Sequence, residues 1–130
     1  MATKLFLIFN HQITPFQEKD AERLLGVEAV VDLPPELKGI WSDIPPDLQE
    51  IRGYLQPVMD WLESHAARGD YVLIQGDFGA CYIMADFAMK MGLVPVYSTT
   101  RREAVEERLP DGSISLKHVF RHRRFRRYGG

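Results

Sequence analysis

Gly69-Asp70-Tyr71-Val72-Leu73-Ile74-Gln75-Gly76-Asp77-Phe78-Gly79-Ala80 is the stretch that decides how the chain is read. Residues 71–75 are apolar almost without interruption, the pattern of a short strand buried on both faces of a parallel sheet. Gly76 to Gly79 form a tight turn, and an apolar helix follows from Ala80 to Met91, closed by Gly92. Upstream, Lys4-Leu5-Phe6-Leu7-Ile8-Phe9 repeats the strand pattern and stops at Asn10-His11-Gln12. Thr14-Pro15-Phe16-Gln17 then opens a helix, with Thr14 as N-cap, Pro15 at the first position and Gln17 completing a capping box. That helix runs to Leu25 and ends at Gly26. Val27–Leu33 is a second strand. Val94-Pro95-Val96-Tyr97 is a fourth, with Pro95 pointing to an edge position or a strand start.

Between these elements, Pro34-Pro35 and Pro45-Pro46 bracket Trp41 and disfavour regular structure there. Leu48, Ile51, Leu55, Val58 and Leu62 recur at helical spacing, and Pro57, which removes the bond to Gly53, predicts a kink or break near residues 54–57. Ala104–Leu109 and Ser113–Phe120 flank the turn Pro110-Asp111-Gly112, so residues 103–125 read as a β-hairpin with a basic end. Strands spaced by helices imply an α/β fold with a mostly parallel sheet, flanked by helices, and right-handed crossovers.

The chain has 130 residues, 45% hydrophobic and 26% charged, which fits one globular domain spanning 1–130. The longest apolar runs, near Leu5–Phe9 and Ala80–Ala85, are too short to cross a bilayer as a helix. Met1-Ala2-Thr3-Lys4 leads straight into a strand and carries no signal-peptide pattern. With Cys81 the single cysteine, no internal disulfide forms, as expected for a cytoplasmic protein. The net charge of −2 hides an asymmetry: residues 116–130 hold six Lys and Arg and no acid. Cationic charge gathered at one end of an acidic chain points to an anionic partner or to a solvated tail.

In a parallel sheet, ligands bind beyond the carboxyl ends of the strands. Three polar segments fall there: Asn10-His11-Gln12, Gln75-Gly76-Asp77-Phe78-Gly79 and Ser98-Thr99-Thr100-Arg101-Arg102. They are expected to meet in one electropositive cradle. Gly76 and Gly79 allow close backbone approach to a ligand, and the helix after them turns free N–H groups toward a phosphate. Asp77 reads first as the cap of that helix. Thr99, Thr100, Arg101 and Arg102 offer hydroxyls and guanidinium forks. His11 titrates near neutrality and can move protons. His118 and His122 share one face of the last strand and have no metal-pair spacing; no other cluster has it either. The helix from Ala80 to Met91 is apolar nearly all round, so a second copy of the chain is expected to cover it.

Leu5–His11, Trp41-Ser42-Asp43-Ile44-Pro45-Pro46, Gly69–Ala80 and Pro95–Arg101, together with His118, Phe120, His122 and Phe125-Arg126, resemble a small Csx-type CRISPR-associated protein of the type III ring nuclease group. The resemblance covers nearly the whole chain. It implies a Rossmann-like fold related to the CARF sensor domains, a homodimer, and cleavage of cyclic oligoadenylate, usually cyclic tetra-adenylate, in antiviral defence. It implies neither a cofactor nor a metal nor a long nucleic acid, because the ribose 2′-hydroxyl attacks the phosphorus. On that reading Arg101 neutralises the scissile phosphate, and His11 protonates the leaving oxygen or orients the nucleophile. Gly79, Thr99 and Thr100 hold phosphate oxygens, and Asn10 and Gln75 bind ribose or adenine edges. Asp77 holds a 2′-hydroxyl. Gly76, Phe78 and Arg102 border the ligand, and Arg121 and His122 form a lid or second anion contact. Two other readings stay open: a sensor that binds the ring without cutting it, and an RNA-binding protein using the basic end.

Overall fold

The computed structural model describes residues 2–130, so Met1 of the N-terminal reading lies outside it. The sheet is five-stranded, in the order β2-β1-β3-β4-β5. β1 (Lys4–Ile8), β2 (Ala29–Asp32), β3 (Tyr71–Ile74) and the start of β4 (Val94–Arg108) are parallel, and β5 (Ile114–Arg127) returns antiparallel to β4. α1 (Pro15–Asp20) continues through a π-helical turn at 21–25, and Gly26 closes it at φ 67°, the left-handed conformation glycine adopts freely. α2 (Pro35–Ser42), α3 (Arg52–His65) and α4 (Phe78–Lys90) complete the chain.

Alternation along the central strands builds two cores. Phe6, Ile8, Val72 and Ile74 point to the face covered by α2, α3 and α4. Leu5, Leu7, Leu73 and Val96 point to the other, where Ala21 at the end of α1, Val27 and Phe125 meet them. Each of these side chains is at most 4% exposed and contributes about 1.5–3 kcal/mol of burial. β2 and β3 flank β1 on opposite sides, so the chain changes direction across the sheet between β1 and β3. The topological switch point of the sheet therefore lies at the carboxyl ends of β1 and β3, the usual ligand position in such sheets.

Several expectations need correction. The stretch bracketed by proline pairs forms α2, because Pro35 takes the first helical position, where no N–H is needed. α3 begins at Arg52, leaves Leu48 outside and exposed, and runs unbroken through Pro57. Pro57 stands in the second turn, where the single lost bond to Gly53 falls near a helix end. Residues 98–102 are not a loop. β4 continues through them to Arg108, and the hairpin is longer than residues 103–125 on both sides. Pro95 stands at the start of β4, an interior strand, rather than on an edge. Among the described residues no helix is long and apolar enough to cross a membrane.

Candidate functional site

Two clefts open at the carboxyl edge of the sheet, one on each face. The first, about 580 Å³, lies between α4 and the end of β5 and is lined by Phe78, Tyr82, Met89, Tyr97 and Tyr128, with Gln75 and Gly76 at its end. Phe78 is 95% and Tyr82 75% exposed, so α4 carries an uncovered apolar face. The Arg126 guanidinium lies 5.0 Å from the Tyr97 ring centroid, a cation–π distance. The Tyr128 hydroxyl donates to Ile74 O at 2.6 Å, and burial pushes its pKa well above the usual phenol range. Burial likewise raises the Cys81 thiol beside it.

Gly76 has a packing reason to be glycine. A Cβ there would stand 2.8 Å from Trp41 Nε1 and 3.1 Å from its Cε2. Trp41 is buried and donates through Nε1 to Gln75 O at 2.8 Å. The space a Cβ would take at Gly76 is therefore filled by tryptophan. At Gly79 the nearest atoms to a Cβ are 3.5 and 3.7 Å away, so its backbone is open. Asp77 is the cap, its Oδ2 accepting from Ala80 N at 3.0 Å.

The second cleft, about 480 Å³, lies between α1 and the hairpin and is lined by Phe16, Gln17, Thr100, Phe120, Arg121 and His122, with Glu103 and Arg123 at the rim. Phe16 and Phe120 are 62% and 68% exposed, and Arg121 is held by Glu103 at 2.7 Å. Below them lies a polar cluster. His122 Nε2 faces Asp20 Oδ2 at 2.7 Å, and its Nδ1 is hydrogen-bonded to Ser98 Oγ. Gln17 Nε2 donates toward the same oxygen at 3.4 Å. Gln75 Oε1 accepts from Ser98 N at 2.7 Å. The side chains of His122 and Asp20 are 5% and 3% exposed. Among the described residues four polar or charged residues are buried, and three of them (Gln17, Asp20 and Ser98) belong to this cluster.

The local sequence explains how it forms. The capping box holds Gln17 through its Oε1, which accepts from Thr14 N at 2.9 Å, and so turns its amide N–H₂ toward Ser98. Asp20 follows on the inner side of α1. The register of the hairpin shifts between Thr99 and Thr100: Thr99 pairs with Arg124 but Thr100 pairs with His122, leaving Arg123 as the extra residue. Such a bulge re-aims side chains. It puts His122 on the same face as Phe125, their rings 4.7 Å apart, although an even strand would place them on opposite faces.

The expected single cradle is thus divided. Gln75, Gly76 and Phe78 border the α4 cleft; Thr100, Arg121 and His122 border the α1–hairpin cleft, and Gln75 reaches its floor through Ser98. Asn10 and His11 lie exposed after β1, with His11 edge-on to Phe9 at 5.3 Å. Thr99 spends its hydroxyl inside the hairpin, donating to Arg124 O at 3.1 Å and accepting from Arg124 N at 3.2 Å. Arg101 and Arg102 are exposed on β4, paired with Arg121 and Phe120. The sequence gives Gln17 only its capping role and Ser98 only a place in the polar segment 98–102, and it gives Asp20 none. The described residues include no group of three His, Cys, Asp or Glu side chains placed to hold a metal.

The model of the family described as "Uncharacterized protein MJ1673 family" matches residues 3–126. The chain belongs to the MJ1673 family. One relative, "Uncharacterized protein MJ1673" of Methanocaldococcus jannaschii, is 49% identical over 125 residues, which are 96% of this chain and 96% of the relative. The MJ1673 match takes in β1 to β4, β5 as far as Arg126 and every residue that lines the α1–hairpin cleft, and it stops short of Tyr128 in the α4 cleft. No solved structure matches the chain.

Proposed function

We propose that the protein is a ring nuclease that binds cyclic oligoadenylate, with cyclic tetra-adenylate the favoured ring, and opens it by in-line attack of a ribose 2′-hydroxyl on the adjacent phosphorus. One observation carries the reading: the α1–hairpin cleft joins two exposed rings, Phe16 and Phe120, with Arg121, Arg123 and the buried Asp20–His122–Ser98 cluster. Base-sized apolar platforms beside guanidinium groups suit a nucleotide, since stacking accepts the base and the cations accept its phosphate. The resemblance of the sequence blocks to Csx-type ring nucleases, with the Rossmann-like, CARF-related fold that it implies, supports the same reading.

The mechanism asks little covalent chemistry of the protein. Holding the 2′-oxygen in line with phosphorus and the leaving 5′-oxygen is worth on the order of 7–11 kcal/mol in ideal cases. Donors aimed at the charge on the phosphorane add ~3–4 kcal/mol each. From the resemblance, and not from the cleft lining, Arg101, paired across the hairpin with Arg121, takes the role of neutralising the scissile phosphate, and His11, exposed after β1, that of serving the leaving oxygen. A homodimer belongs to this reading. The bare face of α4, with Phe78, Tyr82 and Met89, supports a second copy, and a two-fold dimer presents its sites in the symmetry of a four-unit ring.

The test is incubation of the purified chain with labelled cyclic tetra-adenylate and separation of the products. Linear adenylates support the reading. An intact ring that stays tightly bound makes the protein a sensor. Salt-dependent binding of ordinary RNA with no preference for the ring makes it an RNA-binding protein.

A further inference from the structure

The floor of the α1–hairpin cleft holds more chemistry than anion binding requires. Asp20, His122 and Ser98 stand in a continuous row, 102 and 24 positions apart in sequence, delivered by a helix, a bulged strand and the strand beside it. A buried polar row of this kind costs desolvation that an apolar trio would avoid, so its retention asks for a use.

We propose that Ser98 is the hydroxyl that takes the proton from the attacking ribose oxygen, relayed to His122 and fixed by Asp20; the proposal rests on the ring-opening reading above. The donor order follows from the groups present. An ionised Asp20 only accepts, so His122 donates to it through Nε2. In the neutral ring Nδ1 is then the bare nitrogen, and the Ser98 O–H points to it. Ser98 Oγ has two lone pairs. Gln17, its amide oriented by Thr14, takes one, and the second is left for an incoming hydroxyl. Both side-chain partners of Ser98, Gln17 and His122, line the cleft, and Ser98 itself, 9% exposed, stands behind them.

The step balances. The 2′-oxygen bonds to phosphorus as the bond from phosphorus to the 5′-oxygen breaks. The 2′-proton passes to Ser98 Oγ while the proton of Ser98 passes to His122 Nδ1. The leaving 5′-oxygen takes a proton from the medium or from His11, and His122 later returns its proton to the medium. The products are a 2′,3′-cyclic phosphate and a 5′-hydroxyl, with no water consumed.

The experiment is single-turnover cleavage of cyclic tetra-adenylate by the full chain, beside equilibrium binding of a 2′-O-methyl ring that cannot react. General-base loss is worth 10²–10⁴-fold, so Ser98→Ala is expected to slow cleavage at least ~100-fold while ring affinity changes less than about threefold. Ser98→Thr keeps a hydroxyl and is expected to recover about a tenth or more of the rate. Asp20→Asn can donate to Nε2 and so moves the ring proton to Nδ1; a loss of at least ~10-fold is expected. Long-range ¹H–¹⁵N spectra of His122 should show the Nε2–H tautomer in the wild type and its exchange in Asp20→Asn. Wild-type cleavage by Ser98→Ala, or a fall in rate matched by a fall in ring binding, overturns the proposal while the ring-nuclease reading stands. A wild-type chain that leaves the ring intact overturns that reading, and the step falls with it.

Discussion

Gly76→Ala separates two explanations of a loop glycine, ligand approach and packing. The new Cβ would meet Trp41 Nε1 at 2.8 Å, Cε2 at 3.1 Å and Cζ2 at 3.2 Å. The obstacle is a rigid indole that is 2% exposed, so it has little room to yield. Its displacement strains the bond from Nε1 to Gln75 O and leaves two buried polar groups underserved, about 1–3 kcal/mol. Overpacking adds about 1–3 kcal/mol. The lower chain entropy of unfolded alanine returns about 0.4–1 kcal/mol. The net loss is then about 1–5.5 kcal/mol, a fall in Tm of roughly 3–22 °C at this chain length. Gly79→Ala is the control. Its Cβ has ordinary contacts at 3.5 and 3.7 Å within α4, so it should be neutral or raise stability by about 0.5–1 kcal/mol. The assay is thermal and urea unfolding of both variants without ligand. A Gly76→Ala protein that melts within about 2 °C of wild type would refute the packing explanation.

Other expectations follow from the same contacts. Asp20→Ala removes the acceptor of a buried imidazole N–H and should cost about 1–3 kcal/mol, read as a lower urea midpoint at unchanged slope. Burial raises the Cys81 pKa, so less thiolate is present at any given pH; iodoacetamide should label it more slowly at pH 8 than a free cysteine, and labelling should accelerate only at higher pH. Equal rates would contradict this. Arg101→Ala and His11→Ala should each lower single-turnover ring cleavage about tenfold or more, and unchanged rates would remove them from the mechanism.

The sequence was informative where the physics was local. The apolar runs at residues 5–8 and 71–74 fill both cores, the capping box at Thr14 and Gln17 is formed, and Asp77 caps α4. It was silent where partners come from afar. Beyond Thr99 the two-stranded ribbon is largely exposed on both faces and needs no apolar alternation, so residues 98–102 looked like a loop. The β-branched pair Thr99-Thr100 was the one strand signal there. α2 was hidden by its prolines: Leu37, Ile40 and Trp41 stand at helical spacing, but Pro34-Pro35 reads as a breaker where Pro35 in fact opens the helix. The Asp20–His122–Ser98 row was hidden for a different reason. The even alternation of a strand puts His122 and Phe125 on opposite faces, and only the bulge at Arg123 brings them together. The expected cradle became two clefts for a separate reason: Gln75, Gly76 and Phe78 lead into α4 on one face, whereas Thr100, Arg121 and His122 belong to the hairpin beside α1 on the other.

The most direct measurement is the mass of the products after the purified chain meets cyclic tetra-adenylate. The expected result is linear adenylates ending in a 2′,3′-cyclic phosphate, with summed mass equal to that of the ring. Products heavier by one water at the outset, or a ring recovered whole, would contradict attack by the ribose hydroxyl.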